Sequence, residues 1–281
     1  MTPGAVVSTE WLAGHLGDDG VRVVDTRWYL DPTRVGRDAY AAGHIPGAIY
    51  LEVDRDLSAP GGRRGGPIGR HPWPPVEQVE RVMSAAGIGP DTFVVAYDDQ
   101  WGSVAARLWF LLRAHGHDAA AVLDGGLPKW TAEGRPLDTA VPTVAPRAFV
   151  ARLRPELLAS KEELRVPSAS RLVIDARAPE RYRGETEPID PRAGHVPGAV
   201  NAPYTGNLTS DERRVFLPAE ALRARFAALG ADRTEPIVYC GSGVTACHDI
   251  LALHLAGLPA RLYPGSWSEW SSNPDLPVET S

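Results

Sequence analysis

The chain has only two cysteines, Cys240 and Cys247, among 281 residues. Two thiols cannot form a disulfide framework, so packing must hold the fold, and a reducing compartment suits such a chain. No apolar run approaches the roughly 20 residues that a membrane-spanning helix needs. The start, Met1-Thr2-Pro3-Gly4-Ala5-Val6-Val7, lacks the basic opening and apolar core of a signal peptide, so a cytoplasmic location is expected. A long basic stretch is also missing, and the formal charge of −6 argues against nucleic acid as the main partner.

Against that sparse cysteine content, the setting of Cys240 stands out. Pro236-Ile237-Val238-Tyr239 reads as a short buried strand, and Val244 to Ala256 carries apolar residues at helical spacing, including Ile250, Leu251 and Leu255. Between them lies Cys240-Gly241-Ser242-Gly243-Val244-Thr245-Ala246, a glycine-rich loop that opens a helix. Its glycines allow consecutive N–H groups to turn toward the sulfur, and the positive end of the helix adds to their pull. Both effects favour a thiolate, which marks Cys240 as a nucleophile rather than a packed core residue. Cys247 lies inside the expected helix and lacks such a loop, so it reads as a packing residue.

Internal repetition decides the domain count. Val23-Val24-Asp25-Thr26-Arg27 recurs as Val173-Ile174-Asp175-Ala176-Arg177, and Gly43-His44-Ile45-Pro46-Gly47-Ala48 recurs as Gly194-His195-Val196-Pro197-Gly198-Ala199. Val94-Val95-Ala96-Tyr97 leads to Asp98 as Ile237-Val238-Tyr239 leads to Cys240, and Gly125 with Trp130 answers Gly265 with Trp270. Four landmarks in one order imply a duplicated domain whose copies each hold a core. The expected division is 1–135 and 156–281, with the proline-rich segment 136–155 as linker. Within each copy, short apolar runs alternate with amphipathic helices, the pattern of an α/β domain with a mainly parallel sheet.

Together, Asp-x-Arg, Gly-His-x-Pro-Gly-Ala, the Cys240 loop and Gly265-Ser266-Trp267-Ser268-Glu269-Trp270 resemble the two-domain rhodanese-like sulfurtransferases, over nearly the whole chain. The resemblance implies two tandem rhodanese-like domains, the first inactive because Asp98 stands where the cysteine would be. Its loop is more similar to that of the 3-mercaptopyruvate enzymes than to that of the thiosulfate enzymes, which place basic residues directly after the cysteine. Implied with it is transfer of sulfur from 3-mercaptopyruvate through a Cys240 persulfide to a thiol or cyanide acceptor, with pyruvate released. Such chemistry calls for neither metal nor organic cofactor. The partners it implies are a small anionic donor and an acceptor such as thioredoxin or a low-molecular-weight thiol, not nucleic acid or membrane.

The resemblance carries Arg181 and Arg192 over as substrate-binding arginines, and Ser242 with His44 and Asp38 as a proton relay. The backbone of Gly241, Gly243, Val244 and Thr245 is expected to hold the substrate and the persulfide charge. Gly-His-x-Pro-Gly occurs in both copies although only one has a cysteine, a pattern that fits loop bracing by His44 and His195. Asp25 and Asp175, at strand ends, fit anchors for neighbouring turns. His71-Pro72-Trp73-Pro74-Pro75 reads as a loop of the first copy over the cleft.

Three rival readings remain open at this stage or fall. A thiosulfate sulfurtransferase would share the nucleophile but favour more positive charge beside it. A persulfide carrier or docking module would not turn over small donors. A cysteine-loop phosphatase would need an arginine six positions after the cysteine, where this chain has Ala246, and no arginine follows before Arg261.

Overall fold

The structure, a computed structural model, describes residues 4–166, 168 and 170–281. Two compact units emerge: Met1–Leu57 with Pro74–Leu153 and Ser210–Val215, and Ser58–Trp73 with Arg154–Thr209 and Phe216–Ser281. The division follows the sequence repeat except at two excursions. Residues 58–73, inside the first repeat, fold with the second unit, and 210–215 fold with the first.

The first unit runs β1 (Val6–Val7), α1 (Thr9–Gly14), β2 (Val21–Asp25), α2 (Gly36–Ala42), β3 (Ile49–Tyr50), α3 (Val76–Ala85), β4 (Phe93–Tyr97), α4 (Ala105–Ala114), β5 (Ala120–Leu123) and α5 (Gly126–Ala132). Its sheet has the order β1-β5-β4-β2-β3, with every pairing parallel. Parallel neighbours need crossovers, which is why helices separate the strands and why the strands are apolar on both faces. The segment expected to be a linker is pinned to this unit: Arg147 N–H donates to Ser84 O at 3.0 Å and Arg152 N–H to His115 O at 2.8 Å.

The second unit contains α6 (Lys161–Arg165), β6 (Val173–Asp175), α7 (Pro179–Tyr182), β7 (Val200–Asn201), α8 (Ala219–Ala227), β8 (Ile237–Tyr239), α9 (Ala246–Leu255), β9 (Arg261–Leu262) and α10 (Ser266–Trp270). Its parallel sheet has the order β7-β6-β8-β9, so β8 is flanked on both sides. Ser160 caps α6 by accepting from Glu163 N–H at 3.2 Å, as the serine three residues ahead of a glutamate predicts. Tyr239, Tyr263, Trp267 and Trp270 form the centre of the core, and each is essentially inaccessible. Burying such side chains contributes about 1.5–3 kcal/mol apiece, so the strand that ends at Cys240 is among the most firmly held parts of the unit.

The two copies repeat in detail as well as in outline. Arg27 N–H donates to Asp25 Oδ1 at 2.9 Å, and Arg177 N–H to Asp175 Oδ1 at 2.9 Å, so both aspartates anchor the turn that follows their strand. Each arginine side chain also clamps its aspartate and reaches the carbonyl of Gly43 or Gly194. Ile45 N–H donates to Tyr97 Oη and Val196 N–H to Tyr239 Oη, both at 3.1 Å. Among the described residues no helix is long and apolar enough to cross a membrane.

Candidate active site

Cys240 follows directly on β8 and precedes α9, at the carboxyl edge of the parallel sheet where α/β folds place ligands. The thiol residue is only 3% exposed. Its main chain is fixed from the start of α10: Ser266 Oγ accepts from Cys240 N–H at 3.2 Å, Trp267 N–H donates to Cys240 O at 2.9 Å, and Ser268 N–H to Gly241 O at 2.8 Å. Ser266 takes a left-handed φ of 52°, a strained conformation for a non-glycine residue that here aims its hydroxyl at the Cys240 amide. Gly243, at φ 75°, packs so closely that a Cβ would overlap Pro264 O, so any other residue would push the loop away from the segment between β9 and α10.

Two guanidinium groups approach the loop. A Cβ built on Gly241 would lie 2.7 Å from Arg70 Nη2 and 3.5 Å from Arg181 Nη1. The residue after the cysteine is therefore not basic, yet cations reach it from two other segments. Arg181, in α7, binds Glu187 at 2.7 and 2.9 Å and stands 3.3 Å from Asp190 Oδ2. Arg70 Nη1 bonds Asp190 Oδ1, while Arg70 Nε is buried and finds no partner among the described residues. Burial pushes the Asp190 carboxyl above its ordinary range, and the adjacent Arg70 charge opposes that rise. Glu187 also accepts from the backbone N–H groups of Ile189 and Asp190 at 3.1 Å each, which winds the segment 185–191 into a compact turn.

Ser242 is buried at 6% exposure, and its Oγ lies 2.7 Å from Nδ1 of His71. With Nδ1 unprotonated, the serine hydroxyl donates to it. The expectation of a histidine beside Ser242 thus meets His71, not His44. His44 lies in the first unit, fully buried, with Nδ1 2.9 Å from Tyr40 O and Nε2 3.2 Å from Ala140 O. Its ring stacks on Tyr40 with centroids 4.0 Å apart, just as His195 stacks on Tyr182 at 3.8 Å and points Nδ1 at Tyr182 O. One motif doing one job in both copies is bracing, since only one copy has a cysteine. Asp38 sits exposed in the first turn of α2.

Arg192 also departs from its expected role. Its guanidinium donates to four main-chain carbonyls, those of Trp270, Ser271, Asn273 and Leu276, at 2.5–3.0 Å. No donor pair is left facing a substrate, and the side chain ties down the turns that follow α10. Trp267 is fully buried, donates Nε1–H to Arg192 O at 2.9 Å, and carries Arg177 over its ring at 4.6 Å. Cys247 is buried in α9 and donates Sγ–H to Gly243 O at 3.3 Å, bracing the loop from below. Arg70 was missed, and His71 was read only as part of a loop over the cleft, because both sit in the first sequence repeat. The one available signal was the basic, histidine-bearing stretch Arg63 to His71 ahead of the proline cluster.

A parallel α/β unit that ends a central strand in a cysteine, wraps it in a glycine loop and sets two arginines over that loop defines an anion-accepting thiol enzyme. The rhodanese-like domain model matches residues 8–133 and 156–273, so the chain belongs to the two-domain rhodanese-like sulfurtransferases. It is 44% identical over its full length to a probable 3-mercaptopyruvate sulfurtransferase of Pseudomonas aeruginosa, covering 99% of that protein. A putative thiosulfate sulfurtransferase of Mycobacterium tuberculosis is 39% identical over 97% of this chain and 96% of its own length. The crystal structure of a 3-mercaptopyruvate sulfurtransferase from Escherichia coli superposes with a TM-score of 0.81 at 29% identity, covering 94% of this chain and 99% of that one.

Proposed function

We propose that the protein moves sulfur from 3-mercaptopyruvate to a thiol or to cyanide by way of a persulfide on Cys240, in a reducing compartment. The observation that carries this reading is Cys240 at the end of β8 with Arg70 and Arg181 above Gly241. The guanidinium pair supplies the planar donors that a 2-oxo carboxylate needs to be held with its sulfur toward the thiolate. Cys240 attacks that sulfur, the bond from sulfur to C3 breaks, and its electron pair leaves as the enolate of pyruvate.

The enolate must then take a proton. With Nδ1 of His71 protonated, Ser242, 2.7 Å away, is placed to hand its own proton to the enolate and take one from Nδ1, and His71 is then reprotonated from solvent or the incoming thiol. In the second half, the acceptor's thiolate attacks the outer sulfur, the sulfur–sulfur bond breaks, and Cys240 returns as thiolate. Thioredoxin or a small thiol fits the acceptor role. Backbone N–H groups of Gly241, Gly243, Val244 and Thr245 stabilise the charge that resides on sulfur in both halves.

Thiosulfate as donor is the second reading. It is favoured by the two cations over Gly241 and by the naming of the mycobacterial relative. Steady-state turnover with both donors and one acceptor, on the wild type and on Cys240→Ser, decides between them. Preference for 3-mercaptopyruvate that disappears in Cys240→Ser supports the first reading; preference for thiosulfate replaces it with the second, and activity that survives in Cys240→Ser overturns both.

A further inference from the structure

The Asp190 side chain is completely buried at the place where positive charge is wanted. It holds both arginines that stand over Gly241, taking Arg70 on Oδ1 and facing Arg181 from Oδ2 at 3.3 Å. Glu187 accepts from Arg181 Nη2 at 2.7 Å and meets Arg177 at 3.2 Å, while Arg177 pairs with Asp175 at 2.6 Å. The network beside the nucleophile therefore contains three cations, Arg70, Arg177 and Arg181, and three anions, Asp175, Glu187 and Asp190. These formal charges cancel.

Such a neutral cluster has directional donors without an excess of positive charge. Arg70 Nε, a buried guanidinium nitrogen with no partner among the described residues, leaves hydrogen-bonding capacity for a ligand even though the charge is balanced. A monoanion gains hydrogen bonds there at little electrostatic cost. A dianion, brought next to a thiolate and to Asp190, meets repulsion that no surplus cation offsets, and the penalty grows in proportion to its charge.

We propose that the Asp190 carboxylate sets donor selectivity, favouring singly charged 2-oxo acids over doubly charged donors by cancelling one of the two cations above Gly241. The inference rests on the sulfurtransferase reading for its substrates, and its physical content is a preference between anions of different charge. Asp190 is a specificity and positioning residue: it acts through Arg70 and Arg181.

Asp190→Asn keeps the shape and an acceptor oxygen and removes the charge. Turnover with thiosulfate and with 3-mercaptopyruvate should show kcat/KM for thiosulfate improving about tenfold more than that for 3-mercaptopyruvate, chiefly through KM. Asp190→Glu should leave the ratio of the two donors at its wild-type value. In parallel, calorimetry in a Cys240→Ser background reads affinity without chemistry, with sulfate as the dianion and pyruvate as the monoanion. Sulfate should gain about tenfold over pyruvate on Asp190→Asn.

Unmoved ratios, a uniform fall for both anions, or a Glu variant that behaves like the Asn variant would each overturn the proposal, because a scaffold for the arginines affects both donors alike. Should Asp190→Asn fail to fold, Arg70→Gln gives the opposite test: the dianion must then lose about tenfold more than the monoanion, and equal losses overturn the proposal. A wild type that transfers sulfur from neither donor sinks the sulfurtransferase reading, while the sulfate and pyruvate affinities still decide the claim about Asp190.

Discussion

The loop after β4 and the loop after β8 occupy the same place in two copies of one fold, and they differ in what sits at their centre. In the first unit Asp98 accepts from four backbone N–H groups, those of Gln100, Gly102, Val104 and Ala105, at 2.7–2.9 Å. Burial pushes that carboxyl upward and the four donors pull it back. Leu127 N–H donates to Asp98 O as Trp267 N–H donates to Cys240 O, and Gly126 and Ser266 take matching left-handed φ values of 59° and 52°. The two loops share these main-chain ties, and the first closes its N–H groups on its own carboxylate where the second carries a thiol.

The largest test of this comparison is to make the second loop resemble the first. Cys240→Asp should retain the fold, read as an unchanged near-ultraviolet spectrum, and lose turnover by at least about a thousandfold, because no sulfur remains to carry a persulfide. Loss of the fold would show that the second loop cannot hold a carboxylate as the first does. The converse exchange, Asp98→Ala, leaves four donors of the first unit without their acceptor and should lower unfolding free energy by about 2–4 kcal/mol in denaturant titrations. Turnover per folded molecule should be unchanged.

The helices that follow the two loops also diverge. The fourth residue of α4 is Leu108, and that of α9 is Asp249, both fully buried. Asp249 accepts from Asn207 Nδ2 at 2.6 Å, but its Oδ2 has no partner among the described residues, and burial lifts its carboxyl to about 7. A folded-state value above the ordinary 3.8 means that the folded protein holds this proton more tightly than the unfolded chain. The associated stability is present in full below pH about 4 and is lost as pH rises through about 7, of the order of 4 kcal/mol in all. Denaturant midpoints should fall across that window for the wild type and flatten in Asp249→Asn; parallel curves would remove Asp249 as the cause.

The smallest expected effect separates two histidines. His71→Ala should lower kcat by about 10–100-fold with stability nearly unchanged, as for loss of a proton relay. His44→Ala should instead cost about 1–3 kcal/mol of stability with kcat within about twofold, since it removes a brace shared by both copies. A reversal of the two phenotypes would restore the role that the family resemblance assigns to His44.

Sequence alone determined the duplication, the parallel α/β class, the strand that delivers Cys240 and the glycine loop around it, because each is written in contiguous residues whose spacing dictates local backbone. Capping by Ser160, the turn anchors Asp25 and Asp175 and the bracing by Gly-His-x-Pro-Gly were legible for the same reason. Only the tertiary structure decided which side chains meet the loop. Arg70 comes from 120 residues before its partner Asp190, and His71 from 171 residues before Ser242. A sequence repeat places residues 58–73 with the first copy, whereas packing places them with the second. Arg181 and Arg192 have the same chemistry and lie on the same stretch of chain, yet one faces the loop and the other is consumed by four carbonyls. Periodicity carries no information about such long-range meetings, because they depend on where two distant segments are brought by the burial of everything between them.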